Sequence, residues 1–73
     1  MMEIDSPQQL ANIIKKARKG QKITQEQLAD FTGLQRVGIV RIEAGQTEPK
    51  ISTLLKICQM LGLKLELKGF ADS

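Results

Sequence analysis

The sequence predicts an all-α fold of four helices, closed by one short C-terminal β-strand. Three observations carry that expectation. Apolar residues recur at helical spacing in four stretches, two of these stretches open on capping-box signatures, and a strict leucine alternation follows the last of them. At 73 residues the chain has room for one domain, spanning 1–73. A domain this small buries a small core. With Phe31 and Phe70 as the only aromatic residues, that core must be aliphatic.

The first helix is expected over about residues 7–19. Ser6 is a good N-cap, Pro7 suits the first helical position and Gln9 completes a capping box. Leu10, Ile13, Ile14 and Ala17 follow at helical spacing, and Gly20 is the expected stop. The second helix, about 25–31, opens on Thr24-Gln25-Glu26-Gln27, a second capping box. Ile23 and Leu28 are placed as a hydrophobic staple, and Gly33 closes the helix. The third, about 35–44, contains Val37, Gly38, Ile39 and Val40, which favour helix poorly. The spacing of Ile39 and Ile42 and the stop at Gly45 decide for helix over strand. The fourth, about 51–61, follows Glu48-Pro49 and carries Ile51, Leu54, Leu55, Cys58 and Leu61 before Gly62. Leu63-Lys64-Leu65-Glu66-Leu67-Lys68 then alternates with period two, as a half-buried strand over about 63–68 would.

Composition excludes several classes of function. Eleven Lys and Arg against eight Asp and Glu give a net charge of +3, which suits a polyanionic partner without requiring one. One cysteine, Cys58, permits no internal disulfide, and its place on an apolar helical stripe marks it as a core residue. With one cysteine and no histidine, neither a structural zinc site nor the commonest general base is available. No carboxylate pair, phosphate-binding glycine loop or nucleophile elbow is present, so neither an enzyme nor a cofactor is expected. No apolar run approaches the roughly 20 residues that span a bilayer, and the N-terminus lacks the pattern of a secretory signal. The expected compartment is the cytoplasm, with no membrane partner.

The informative segment is Gln25 to Ala44, where two short helices flank a glycine-containing turn in a helix-turn-helix pattern. Ala29 lies where the helices cross, and its small side chain lets them approach. Leu28, Leu34, Ile39 and Ile42 fill the core beneath both. The outer face of the third helix is left free to enter a major groove.

These residues carry a resemblance. Thr24-Gln25-Glu26-Gln27-Leu28-Ala29, Gly33-Leu34, Ile39, Arg41-Ile42-Glu43 and Gly45 resemble the Cro/phage-repressor (XRE) family, over about residues 8–62 without a gap. The resemblance implies a lambda-repressor-like DNA-binding domain and a sequence-specific, double-stranded DNA-binding transcriptional regulator. Ser6-Pro7-Gln8-Gln9-Leu10-Ala11-Asn12 and the tail Leu63-Lys64-Leu65-Glu66-Leu67 look more narrowly like HipB-type antitoxins. That narrower likeness implies repression of the chain's own operon and a HipA-type kinase toxin as partner.

The resemblance also implies site residues. Gln25 matches the family's phosphate-contacting glutamine at a helix N-terminus, a place that favours an anion. The base-reading positions fall on Gln35, Arg36, Val37, Val40 and Arg41. Among these, Arg36 suits guanine and Val37 a thymine methyl, whereas Val40 departs from the polar residue common at its position. Gly38, having no side chain, would let the helix backbone come closer to DNA. Gly45, Gln46 and Thr47 match a loop that touches the DNA backbone, Ala44 replaces a frequent Asn, and Lys50 adds a phosphate contact. Arg18 and Glu43 occupy the positions of a partly buried ion pair. The run Lys15-Lys16-Ala17-Arg18-Lys19 with Lys22 has the look of a DNA-facing patch, but charge runs are commonly a solvated face, and these lysines are not among the expected contacts.

A strand with no partner in its own chain points to a second copy. Paired antiparallel across a two-fold axis, Leu63, Leu65 and Leu67 would face the helices of a homodimer. Centring on Leu65 sets Lys64 against Glu66, and centring on Leu67 sets Glu66 against Lys68. Both registers are favourable, while a centre at Glu66 opposes like charges. Such a dimer would read an inverted-repeat operator through successive major grooves about 34 Å apart. The alternative is a protein-interaction module with a helix-turn-helix shape that does not bind DNA, for which Arg36→Ala and Arg41→Ala would be silent.

Overall fold

A computed structural model describes residues 6–66. Four helices follow one another: α1 (Pro7–Gly20), α2 (Gln25–Thr32), α3 (Arg36–Glu43) and α4 (Ile51–Leu61). Their starts and stops have local causes. Ser6 Oγ accepts the Gln9 N–H at 3.3 Å and opens α1. At α2, both halves of the capping box form: Gln27 N–H donates to Thr24 Oγ1 at 3.0 Å, and Thr24 N–H donates to Gln27 Oε1 at 2.8 Å. Gly33, at φ 77°, turns left-handed to end α2. The helix reaches one residue further than its apolar spacing suggests because Thr32 is self-satisfied, donating its hydroxyl to Leu28 O and Ala29 O.

The end of α1 differs from expectation. Gly20 is still helical, and the left-handed residue is Lys22, at φ 59°. The last carbonyls of α1 are taken up by the turn itself, with Lys22 N–H donating to Lys19 O and Ile23 N–H to Arg18 O, both at 3.1 Å. Helix α3 is shorter by a residue at each end than expected, with Gln35 and Ala44 as its caps. Its valines and glycine do not prevent a helix, because Ile39, Ile42 and Glu43 are buried along one side. Packing overrides local propensity here.

The core is aliphatic. Ile14, Leu28, Ile39 and Ile57, one from each helix, are fully buried, and Ala29, at 2 % exposure, sits among them. Leu10, Ile23, Leu34, Met60 and Leu63 pack against this cluster from its margins. Helix α2 packs on α3 and α4, and α1 lies across the same two helices. Gln21 Nε2 donates to Leu61 O at 2.6 Å, which ties the turn after α1 to the end of α4.

The C-terminal strand is a correction. Residues 63–66 form no strand, and Leu67 and Lys68 lie outside the described residues. A strand exists only through a neighbour's ladder of hydrogen bonds, and four helices provide none. Leu63 N–H instead donates to Cys58 O at 2.9 Å, finishing α4 after the left-handed Gly62. Leu63 is half-buried against the core, whereas Leu65 remains 39 % exposed.

Candidate nucleic-acid interface

The helix-turn-helix is held to α1 by one buried ion pair. Arg18 Nε donates to Glu43 Oε2 at 2.6 Å and Arg18 Nη2 to Glu43 Oε1 at 3.0 Å. Both residues are buried, more deeply than the partly buried pair expected. The third guanidinium nitrogen, Nη1, donates to Ile23 O at 2.7 Å. One arginine therefore fixes the turn before α2 and the end of α3 together. Such satisfaction is what a buried charge requires.

Gln25 joins this network. Its Nε2 donates to Glu43 Oε1 at 3.2 Å, and the residue is half-buried. The glutamine expected to reach outward to phosphate thus has one amide proton committed inward, and it braces the first turn of α2 against the last turn of α3.

Four expected base-reading residues face solvent on α3. Arg36, Val37, Val40 and Arg41 are all exposed, Val37 at 50 % and Val40 at 39 %. Val37, Val40 and Arg41 fall at i, i+3 and i+4, so they share one face. Exposed valines in a helix bring no core packing and lose rotamer freedom, so the fold does not explain them. Gly38 is not needed for packing either. A methyl group there would meet only the Leu34 side chain, at 3.8 Å. Gln35 is exposed at the N-cap of α3 and makes no side-chain cap bond. Gln46 and Thr47 lie exposed in the loop after α3, which the left-handed Gly45 begins at φ 73°, and Lys50 is exposed at the N-cap of α4.

Sequence reasoning passed over one grouping. Lys19, Lys22 and Arg36 line a single open cavity of about 520 Å³ together with Thr24, Gln25 and Glu26. The charge run was visible in the sequence. Lys15 and Lys16, one turn earlier on α1, do not line that cavity.

The helix-turn-helix family matches residues 14–68 of the chain, covering every element of this interface. The chain belongs to the helix-turn-helix family. Known members are similar along most of this helix-turn-helix protein. The SPβ prophage-derived HTH-type transcriptional regulator YonR of Bacillus subtilis is 38% identical over 58 residues, 77% of this chain and 54% of that protein. An HTH-type transcriptional regulator of Methanocaldococcus jannaschii is 35% identical over 57 residues, 78% of this chain and 86% of that one. The chain spans about half the length of the first curated relatives it matches. Among solved structures, HipB in the HipA–HipB–O2–O3 complex superposes with a TM-score of 0.80 at 33% identity, over 96% of this chain and 99% of that one. The restriction-modification controller protein C.AhdI of Aeromonas hydrophila shares the fold, with a TM-score of 0.74 at 24% identity over 80% of this chain and 88% of its own. The curated relatives that match are themselves HTH-type transcriptional regulators. No helix among the described residues is long and apolar enough to cross a membrane.

Proposed function

We propose that this helix-turn-helix protein binds double-stranded DNA sequence-specifically, as a homodimer on an inverted-repeat operator, and represses its own operon. One observation carries the reading. The outer face of α3 displays Arg36, Val37, Val40 and Arg41 to solvent, while its inner face is locked to the rest of the fold through Ile39, Ile42 and Glu43. A rigid helix that offers two arginines and two apolar side chains at its exposed surface has the chemistry that reads guanine edges and thymine methyls in a major groove. Gln35 at the start of α3 adds a fifth base-reading side chain, and Gln46, Thr47 and Lys50 beyond it extend the contact to the backbone.

The homodimer is supported by apolar surface that one chain leaves open. Leu65 is 39 %, Leu55 51 % and Ile51 65 % exposed. A second copy would cover the leucine segment Leu63, Leu65 and Leu67 and place two recognition helices one duplex turn apart. Kinship with HipB, found with HipA in one similar structure and with the O4 20mer in another, supports a further step. In that step the protein is the antitoxin to a HipA-type kinase toxin.

Selection of binding sites from a random duplex pool at near-physiological salt tests the reading. Enrichment of an inverted repeat with half-sites about one helical turn apart is the expected result. No enrichment by folded, active protein would leave an interaction module that ignores DNA. Light scattering at tens of micromolar should give the mass of two chains. Coexpression with the neighbouring reading frame should yield a product that is toxic alone and copurifies with this protein.

A further inference from the structure

We infer that the cavity between the α1–α2 turn and the start of α3 is a phosphodiester cradle, in which Lys19 and Lys22 grip the DNA backbone beside the bases met by α3. The inference rests on the DNA-binding reading and extends its footprint to residues which that reading does not include.

Three cations, Lys19 at the end of α1, Lys22 in the turn after it and Arg36 at the start of α3, converge on this cavity. Arg18 also lines it, but its charge is matched by Glu43. Glu26 is the one carboxylate among the lining residues, so unneutralised positive charge dominates. Like charges gathered in one concavity repel one another, and an anion seated among them removes that cost. Arg36 belongs both to this cavity and to the exposed face of α3, so an anion held here lies next to the bases that α3 would read. On a duplex, the anion in that place is a backbone phosphate.

The turn is held ready for it. Ile23 N–H donates to Arg18 O at 3.1 Å, and Arg18 Nη1 donates back to Ile23 O at 2.7 Å. Ile23 packs inward on the core while Lys22 stands exposed. Gln25, which also lines the cavity, has one amide proton committed to Glu43.

The test measures the slope of log K against log salt for the full chain on its selected operator and on an unrelated duplex. Each lost phosphate contact lowers the slope by about 0.9. Lys19→Gln and Lys22→Gly should each lower it by about that amount, and together by about twice as much, with equal losses of affinity on both duplexes. Lys22→Gly suits the left-handed backbone, so the fold is not at risk, and Lys19→Arg should keep the wild-type slope. Lys15→Gln and Lys16→Gln, in the same charge run but outside the cavity, should leave the slope unchanged. Equal slopes for wild type, Lys19→Gln and Lys22→Gly, with Arg36→Ala still impaired, would overturn the cradle alone. A slope lowered as much by Lys15→Gln or Lys16→Gln would also overturn it, as diffuse charge. Failure of the wild type to bind any duplex would remove the proposed function, and the cradle with it.

Discussion

Arg18 and Glu43 meet through two hydrogen bonds, at 2.6 and 3.0 Å, and 25 positions of sequence separate them. The pair joins α1 to the last turn of α3 inside the protein, where neither charge has water to fall back on. Removing one partner should therefore cost more than removing both. Glu43→Ala leaves a buried guanidinium and frees Gln25, with an expected loss of about 3–5 kcal/mol. That is a large share of the total for a small domain. Arg18→Met with Glu43→Leu should be markedly more stable than either single change, as urea denaturation would show. A double variant no better than the sum of the singles would mean the two charges do not depend on each other.

Glycines separate by the conformation they hold. Gly33 is left-handed at φ 77°, so Gly33→Ala should cost about 1–2 kcal/mol although nothing lies within 4 Å of the new methyl. Gly38 is helical and has space, so Gly38→Ala should stabilise the protein by about 0.5–1 kcal/mol. Thermal melts of the two variants should move in opposite directions. If the bare backbone at Gly38 lets α3 approach a duplex closely, the more stable variant should also bind its operator more weakly.

The valines on the exposed face of α3 make a prediction that needs no protein variant. Replacing thymine by deoxyuridine deletes one methyl and leaves the pairing edge intact. Where Val37 or Val40 covers a thymine methyl, the substitution should weaken binding about fourfold, since a buried methyl contributes about 0.8 kcal/mol. In Val37→Ala or Val40→Ala protein, the corresponding position should become indifferent to the substitution. An operator whose thymines are all replaceable without loss would show that the valines read nothing.

Burial raises the Cys58 thiol above its ordinary pKa. The folded state therefore prefers the neutral thiol, and its contribution to stability is complete below the unfolded value of about 8.5. It is lost as pH rises from there through the folded value, because unfolding then releases a proton. Stability should fall in the wild type as pH rises above about 8.5, and less steeply in Cys58→Ala. At neutral pH the native thiol should react with a disulfide reagent only as fast as the protein opens.

The four helices were legible because apolar spacing ran through each of them, with capping-box signatures opening the first two. Even the unpromising Val37–Val40 stretch yielded to the register of Ile39 and Ile42. The turn after α1 was not legible. A glycine at 20 advertises a stop, but the left-handed residue is Lys22, whose N–H donates to Lys19 O while the next residue, Ile23, donates to Arg18 O. The bond from Gln25 to Glu43 was hidden for a related reason: a side chain at a helix start can reach outward or inward, and sequence does not say which. The leucine alternation after Gly62 signalled two faces, but two faces make a strand only when another strand lies alongside.

The exposed centre of α3 consists of uncharged Val37 and Val40, with the arginines to either side. On a duplex, contacts made by that centre release no counterions, whereas every lysine and arginine at a phosphate does. Rising salt would thus erode the grip on arbitrary DNA faster than it erodes the recognition of methyl-bearing bases. Ionic strength would then set the accuracy of the search as well as its strength, and the protein would be most discriminating where it holds on least.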